Sequence, residues 1–245
     1  MFHLDLKDRV ARIGIDRGAA RNAIPIDAWR DLTALLAHVG ESDARVLILQ
    51  SGMEGVFSAG ADIGDLAPLA EDIEGRGRFR QEMGEAIEAL AALPIATIAL
   101  IEGGCFGAAV AVAMACDMRI AGPAARFAIT PAKLGIGYPP TDVARLKALV
   151  GPGQAARLLF SAATVDAAEA LAIGLIEERD DNPAARVAAL AAVIAANAPS
   201  SITILKRSLA GDRGAAAAFE GSFGSADFAE GVAAFQTRRA PEFGV

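Results

Sequence analysis

A chain of 245 residues is long enough for one large domain, or for a domain with a smaller appendage. Its net charge of −7 argues against a general nucleic-acid-binding surface, and two cysteines with two histidines argue against a disulfide framework or a zinc centre. Hydrophobic residues make up 53% of the chain and aromatic residues only 5%, so we expect a core of Ala, Val, Leu and Ile. No cationic segment followed by an apolar one stands at the start, MFHLDLKDRV, and we therefore expect a cytoplasmic protein.

The first half of the chain alternates strand-like and helix-like segments. Residues 2–7 and 10–15 alternate apolar and polar side chains, which predicts a β-hairpin with one buried face. Pro25 and Asp27 precede a helical pattern that runs to about Val39. The pattern further predicts a strand at 45–50, a mobile polar stretch at 64–80 leading into a helix that ends before Pro94, a strand at 95–101, a helix at 106–116, and short strands at 118–121 and 126–128.

The apolar run from Leu90 to Ala115 is long enough to span a membrane. Pro94, Glu102 and the pair Gly103-Gly104 interrupt it, and an ionised glutamate is costly at the middle of a bilayer. We therefore predict a buried strand, a turn and a buried helix here, and no association with a membrane.

After Thr130, alanine-rich helical patterns replace the strands and continue to Gln236. No low-complexity linker separates the two regions. The pattern predicts an α/β core of repeated strand–strand–helix units, followed by a helical C-terminal appendage.

Two glycine-bearing segments, FSAGAD at 57–62 and GGCFGAA at 103–109, each lead from a predicted strand towards a predicted helix. Small residues allow a sharp turn and a close approach to a ligand. The N–H groups at a helix start have no partner within the helix and lie at the positive end of its dipole. If the two turns converge, they form a socket for a developing oxyanion.

Six stretches resemble the crotonase (enoyl-CoA hydratase/isomerase) superfamily, in that family's order and over almost the whole chain. They are Arg21-Asn22-Ala23, FSAGADIGDL at 57–66, IEGGCFGAAVAVAMACDMRIA at 101–121, ITPAKLGIGYP at 129–139, AAEALAIGLIEE at 167–178 and EGVAAFQTRRAPEF at 230–243. The resemblance implies a spiral fold of β-β-α units at 1–190, with a helical trimerisation or lid region at 191–245. It also implies a homotrimer or a dimer of trimers, and acyl-CoA thioester substrates. It implies no metal and no permanently bound cofactor, because coenzyme A arrives as part of the substrate.

By position, the resemblance assigns the two oxyanion-hole N–H groups to Ala61 and Ala108. The residues that match coenzyme A contacts in the family are Arg21, Asn22, Ala23, Ala59, Asp62, Ile63 and Phe235. Other roles remain open for three of these residues: a solvated surface position for Arg21, a helix cap for Asp62 and core packing for Phe235.

The two glutamates that hydratases of this family use as acid and base are missing. Their positions correspond to Ala111 and to Pro131, or to Ala132 if the alignment shifts by one residue. Tyr138 and Asp142 are the remaining candidates for proton transfer nearby. The surroundings of Tyr138 resemble methylmalonyl-CoA decarboxylase, whereas loop packing for Tyr138 and helix capping for Asp142 are the simpler alternatives.

Three functions remain open at this point. The first is an enoyl-CoA hydratase/isomerase-type enzyme, a lyase or isomerase that stabilises a thioester enolate. The second is a decarboxylase of malonyl-type acyl-CoA, since loss of carbon dioxide generates the enolate without a protein base. The third is a protein that binds acyl-CoA without chemistry, which the missing glutamates would explain.

Overall fold

The computed structural model describes residues 1–244, which form two β-sheets and the helices packed around them. The strands are β1 (Phe2–Lys7), β2 (Val10–Ile15), β3 (Val46–Ser51), β4 (Val56–Ser58), β5 (Ala96–Ile101), β6 (Gly104–Phe106), β7 (Met118–Ala121), β8 (Arg126–Ala128), β9 (Val165–Asp166) and β10 (Glu178–Arg179). The larger sheet has the order β1-β2-β3-β5-β7-β10, and the smaller has the order β4-β6-β8-β9. β1 and β2 form the predicted antiparallel hairpin, and the rest of the larger sheet is parallel.

Helices connect the parallel strands and form the C-terminal region. They are α1 (Ala28–Glu41), α2 (Ile63–Leu66), α3 (Ile73–Ala92), α4 (Ala108–Ala115), α5 (Pro140–Ser161), α6 (Ala167–Ala172), α7 (Pro183–Ala195), α8 (Pro199–Leu209), α9 (Ala215–Ser222) and α10 (Ala226–Thr237). From β3 to β8, successive strands enter the larger and the smaller sheet in turn. The predicted repeat of strand, strand and helix is therefore confirmed.

The central strands β3 and β5 of the larger sheet are buried on both faces, as their nearly continuous apolar sequences require. On β3, Leu47 and Leu49 belong to the main core, which also contains the fully buried Trp29 of α1. Val46 and Ile48 point to the opposite face and join a second cluster that includes Val187 of α7. α7 thus covers one face of the sheet, while α1, α3 and α4 contribute to the core on the other.

The run from Leu90 to Ala115 forms the end of α3, the buried strand β5, a turn with β6 and the buried helix α4, as predicted. Within residues 1–244 no single helix is long and apolar enough to cross a membrane, although α7 and α8 pass that test as a pair bent by 109°. The cysteines Cys105 and Cys116 are free and buried within this part of the core. Burial raises the pKa of both thiols, to about 12 for Cys116.

The polar stretch at 64–80, which the sequence predicts to be mobile, is largely helical in the structure. α2 and a 3-10 helix at Ala67–Ala70 occupy its first half, and α3 begins at Ile73. The side chain of Asp72 accepts a hydrogen bond from the Gly75 N–H at 2.8 Å, and this cap starts the helix despite its glycines. The division predicted between residues 190 and 191 falls inside α7, and it stays a prediction.

Candidate functional site

A cavity of about 700 Å³ lies where α3, the start of α4 and the segment before α5 meet. Most of its wall is apolar, with Ile63, Phe79, Met83, Ile87, Leu134 and Ile136 among the lining residues. Charged side chains border it at Arg80, Glu85 and Glu88 of α3 and at Asp142 of α5. Such a cavity fits an apolar ligand with a few polar groups.

The two glycine-bearing turns of the sequence meet at this cavity. Gly60 has φ +90°, and a Cβ atom built on it would lie 2.5 Å from the Phe106 carbonyl oxygen and 3.0 Å from the Ala108 nitrogen. Only glycine allows the backbones to approach this closely. The turn at Gly60 is also tied to the chain before α1, because the Ile24 N–H donates to the Gly60 carbonyl at 2.7 Å. The turns are therefore in direct backbone contact.

Ala61 and Ala108 both line the cavity and are half-buried. Neither N–H has a hydrogen-bond acceptor among residues 1–244. Since the Ala108 nitrogen packs against Gly60, standard bond lengths keep the Ala61 and Ala108 nitrogens within about 7 Å of each other. One oxygen atom that accepts from two N–H donors at about 2.9 Å needs them at most about 6 Å apart. The structure thus brings the two predicted donors to the same part of the wall.

The two donors differ in their relation to the helices. Ala108 is the first residue of α4, as expected for an N–H at a helix start. Ala61 precedes Asp62, the N-cap of α2, and forms an isolated bridge with Ile24. The expectation that both N–H groups stand at helix starts is therefore wrong for Ala61, because the extended backbone of Asp62 delays the helix.

The positions that correspond to the missing glutamates carry no ionisable group. Ala111 of α4 and Pro131 both line the cavity, whereas Ala132 does not. The neighbouring Glu85 accepts a hydrogen bond from Gln81 at 2.8 Å on the exposed side of α3. Neither corresponding position can therefore transfer a proton.

Tyr138 is half-buried on the cavity wall, and its hydroxyl donates a hydrogen bond to the Gly107 carbonyl at 3.1 Å. Burial and the negative charge of Asp142 raise the pKa of Tyr138 well above its ordinary value. The phenol is therefore protonated at neutral pH, and its proton is engaged by a backbone carbonyl.

Asp142 is the buried carboxylate of the cavity, with 2% of its surface exposed. Arg145 donates to its Oδ1 at 3.2 Å, and Oδ2 has no hydrogen-bond partner among the described residues. Arg145 also contacts the exposed Glu88 at 2.7 Å. Burial raises the pKa of the Asp142 carboxyl, Arg145 opposes this shift, and the charge of Glu88 adds to it.

The alternative role of Asp142 as a helix cap is wrong. Pro139 occupies the N-cap of α5 and makes no side-chain cap, and Asp142 lies inside the first turn. A carboxylate there is favoured by the helix dipole, but its free oxygen is left for the cavity.

Asn22 is a correction to the predicted coenzyme A contacts, because none of its surface is exposed. Its Nδ2 donates to the Ile15 carbonyl, the Ser51 hydroxyl and the Phe57 carbonyl, at 2.9 to 3.1 Å. Its Oδ1 accepts from the Arg17 N–H at 2.7 Å. Asn22 therefore joins three segments of the chain and has no group left for a ligand.

Asp62 has the capping role that the sequence left open, since its side chain accepts from the Gly64 N–H at 2.8 Å. It also forms an ion pair with Arg17, whose guanidinium donates to the Ala23 carbonyl at 2.9 Å. The hydrogen bond from Arg17 is the main reason why the pKa of Asp62 is lowered. Arg17 was missed in the sequence, where no motif distinguishes it from a solvated arginine.

The other predicted coenzyme A contacts divide into two groups. Ala59 and Ile63 line the cavity, and the exposed Arg21 has no side-chain hydrogen bond to residues 1–244. Arg21 adopts φ +50°, and its carbonyl accepts from the Ala59 N–H at 3.0 Å, so it lies beside the turn at Gly60. Phe235 lies on α10, outside the cavity lining, with 85% of its surface exposed. Its alternative role in the core of this chain is wrong.

Arg145 was also missed by the sequence reasoning. The signal was present, because Asp142 and Arg145 are three residues apart on a predicted helix and such pairs lie on one face. The partnership with Glu88 was not predictable, since it joins α5 to α3 across 57 residues.

Comparisons with known proteins assign this chain to a family. The sequence profile of the family "Enoyl-CoA hydratase/isomerase" matches residues 5–245. Enoyl-CoA hydratase domain-containing protein 2, mitochondrial, of Bos taurus is 32% identical over 250 residues, which cover 96% of this chain and 84% of that protein.

Solved structures agree with the sequence comparison. A protein from Hyphomonas neptunium, described as an enoyl-CoA hydratase/isomerase family member, superimposes with a TM-score of 0.95 at 32% identity, over 99% of this chain and 97% of that one. Enoyl-CoA hydratase from Bacillus anthracis gives a TM-score of 0.92 at 26% identity, over 99% and 98%. Sequence and fold therefore agree over the whole described chain, and the protein belongs to the enoyl-CoA hydratase/isomerase (crotonase) family.

Proposed function

We propose that the protein is an acyl-CoA enzyme of enoyl-CoA hydratase/isomerase type, which stabilises a thioester enolate with the N–H groups of Ala61 and Ala108. The observation that carries the proposal is the contact between two turns that leaves both N–H groups without an acceptor on the wall of one cavity. Neither N–H has a protein acceptor within residues 1–244, and a substrate oxygen in the cavity would supply one.

The proposed role of the two N–H groups depends on where negative charge develops during the reaction of a thioester. Removing a proton next to a thioester, or adding a nucleophile to its conjugated double bond, places negative charge on the carbonyl oxygen. Fixed N–H donors stabilise that charge more strongly than the neutral carbonyl, so they accelerate the reaction instead of only binding the substrate. An apolar acyl chain in this cavity would displace water, which would strengthen each donor.

Asp142 is our candidate for the proton-transfer residue. It combines burial, a place on the cavity wall and one free carboxylate oxygen, while the glutamate positions hold Ala111 and Pro131. A raised pKa brings a carboxylate closer to the range in which it can both accept and return a proton.

Coenzyme A is proposed to bind beside the turn at Gly60, as a part of the substrate and not as a resident cofactor. There, Arg21 has an exposed guanidinium with no protein partner in residues 1–244, which can pair with a phosphate. Ala59 and Ile63 offer an apolar surface next to it, and Ala23 and Asp62 support the turn through Arg17.

A malonyl-type decarboxylase is the weaker alternative. It requires a hydrogen-bond donor or a positive charge for a second carboxylate, and two of the polar groups on the cavity wall do not offer one. The Tyr138 hydroxyl donates to Gly107, and Asp142 is itself a carboxylate whose only hydrogen-bond donor in residues 1–244 is Arg145.

An assembly of identical subunits is proposed from the C-terminal helices. Phe160, Leu209 and Phe235 are each more than 80% exposed, and Phe219, Phe223 and Phe228 form a half-exposed chain of edge-to-face contacts. Large exposed apolar side chains mark an interaction surface where they lie together, as these three linked phenylalanines do. A homotrimer, or a dimer of trimers, would cover it.

The experiment is a mass-spectrometric screen of acyl-CoA thioesters in D₂O, which detects exchange of the protons next to the carbonyl as well as hydration, isomerisation and decarboxylation. Ala108→Pro removes one proposed donor at the first residue of a helix, where proline is tolerated. We expect exchange or turnover to fall by about 10²–10³-fold. Ala226→Pro at the start of α10 is the matched control, since it removes a comparable N–H far from the cavity. No turnover or exchange with any thioester would favour a binding protein without chemistry, and equal activity in both variants would remove Ala108 from the mechanism.

A further inference from the structure

The hydrogen bond of Tyr138 ends on a peptide group that matters for the proposed function. Its hydroxyl donates to the carbonyl of Gly107 at 3.1 Å. The Gly107 carbonyl and the Ala108 N–H are the two ends of the same peptide group, which resonance keeps planar. Whatever holds the carbonyl therefore also fixes the direction of the N–H on the opposite side.

This peptide group depends on an unusual backbone conformation. Gly107 has φ +54° and ψ −121°, a region that residues with a side chain avoid. The Gly107 N–H donates to the Ala128 carbonyl at 2.9 Å, and its own carbonyl accepts from the Val110 N–H at 3.0 Å. Since the first bond holds the nitrogen side of Gly107, rotation about ψ remains as the motion that would turn the Ala108 N–H.

We propose that Tyr138 is a positioning residue, which holds and polarises the Gly107–Ala108 peptide group so that the Ala108 N–H is a fixed and stronger donor to a thioester oxygen. The proposal rests on the proposed function of Ala108. It gives Tyr138 a role that needs neither a proton transfer nor contact with the substrate.

Two physical effects support this role. The hydrogen bond from Tyr138 adds to the one from the Val110 N–H at the start of α4, and so opposes rotation of the peptide plane. Withdrawing charge from a carbonyl oxygen also makes the N–H of the same amide a better donor, by about 10–30% per bond in a hydrogen-bonded chain. Both effects increase in a cavity with an apolar wall.

The Tyr138 hydroxyl can keep its hydrogen bond to the Gly107 carbonyl over a wide range of pH. Its pKa lies well above the ordinary value because of burial and the charge of Asp142, so the hydroxyl keeps its proton throughout the neutral range. Asp142 is the charged group that acts on the phenol; it pairs with Arg145, which in turn contacts Glu88 of α3. The contribution of Tyr138 should therefore not change between about pH 6 and pH 9, unlike that of a residue that shuttles protons.

The test compares wild type, Tyr138→Phe and Thr130→Val with butyryl-CoA and octanoyl-CoA that carry ¹³C in the thioester carbonyl. Tyr138→Phe keeps the ring and removes only the hydroxyl. Thr130→Val removes a hydroxyl from the same cavity wall, where it makes no hydrogen bond to residues 1–244. Isotope-edited infrared spectra of the bound thioesters report how strongly the carbonyl is polarised.

In wild type we expect the bound carbonyl stretch to move to lower frequency. Tyr138→Phe should lose roughly 10–30% or more of that shift, and Thr130→Val should retain it. With any thioester that turns over, Tyr138→Phe should lower kcat about tenfold, less than the 10²–10³-fold expected for loss of a donor, and leave KM within about twofold.

The outcomes separate the inference from the function on which it rests. No shift in wild type with either bound thioester contradicts the proposed hole itself. An unchanged shift in folded Tyr138→Phe, with or without a loss of thermal stability, assigns Tyr138 to packing and overturns the inference alone. A lower kcat with an unchanged shift and an altered pH profile would make Tyr138 a proton donor, which also overturns it.

Discussion

Replacing Gly60 by alanine tests the contact between the two turns. The new Cβ atom would lie 2.5 Å from the Phe106 carbonyl oxygen and 3.0 Å from the Ala108 nitrogen. Both neighbours are backbone atoms, so neither can rotate away as a side chain does. The variant must therefore move the turn that carries Ala61 away from the turn that carries Ala108.

The size of the effect follows from these distances. A carbon and a carbonyl oxygen approach to about 3.3 Å, so the turns must separate by roughly 0.8 Å. Misplacement of about 1 Å near the reacting atoms costs up to about 10²-fold in rate. An alanine in the left-handed backbone at φ +90° destabilises the folded state by about 1–2 kcal/mol, and overpacking destabilises it by about 1–3 kcal/mol. The free energy of unfolding should therefore fall by roughly 2–5 kcal/mol.

Gly55→Ala is the matched control, because Gly55 has φ +73° but a Cβ atom added there would meet no other atom within 4 Å. Gly55→Ala should lower the free energy of unfolding only by the backbone contribution of about 1–2 kcal/mol. Its turnover should stay within a few fold of the wild-type value. Urea unfolding gives the stability difference, and proton exchange of an acyl-CoA in D₂O gives the rate. If folded Gly60→Ala exchanges protons as fast as Gly55→Ala, the two turns do not act on one oxygen atom.

Three further predictions concern separate parts of the chain. Asp142→Asn should lower proton exchange by about 10²-fold or more, whereas Glu88→Gln should change it little. Because folding raises the pKa of Asp142 above 3.8, the wild-type rate should fall as the pH drops through that raised value, and wild-type stability relative to Asp142→Asn should fall as the pH rises through it; a flat acid limb would exclude Asp142 as the base. Asn22→Ala should lower the free energy of unfolding by about 2–4 kcal/mol, since it leaves buried carbonyls without donors, and a cost below about 1 kcal/mol in urea unfolding would contradict its role as a junction. Phe235→Ser should weaken subunit association in sedimentation, and a wild-type monomer at micromolar concentration would refute the proposed assembly.

Local patterns predicted most of the elements that build the fold. The alternation in residues 2–15 gave the hairpin, and the apolar run after Pro94 gave the strand β5 and the helix α4. These predictions succeed because side-chain periodicity directly reflects which face of an element is buried. The start of α3 was missed, because its glycines lower helix propensity while the cap at Asp72 is a contact of one side chain.

The candidate site was predictable where it consists of backbone. Ala61 and Ala108 need no special side chain, and the glycines beside them were visible in the sequence. The roles of side chains were harder to predict from the sequence, because they depend on contacts between segments far apart in the chain. Nothing near Asn22 shows that residues 15, 51 and 57 will enclose its amide, and nothing near Asp142 shows that α5 will bury it.

The enclosed thiols of Cys105 and Cys116 supply a probe that the protein already contains. Cys105 lies in β6, one residue before the phenylalanine whose carbonyl contacts Gly60, and it has no exposed surface. A thiol reagent can react with it only when this strand opens, because the reactive thiolate is suppressed by burial. The rate of Cys105 alkylation therefore measures how often β6 opens, and an acyl-CoA that binds against the two turns should slow it.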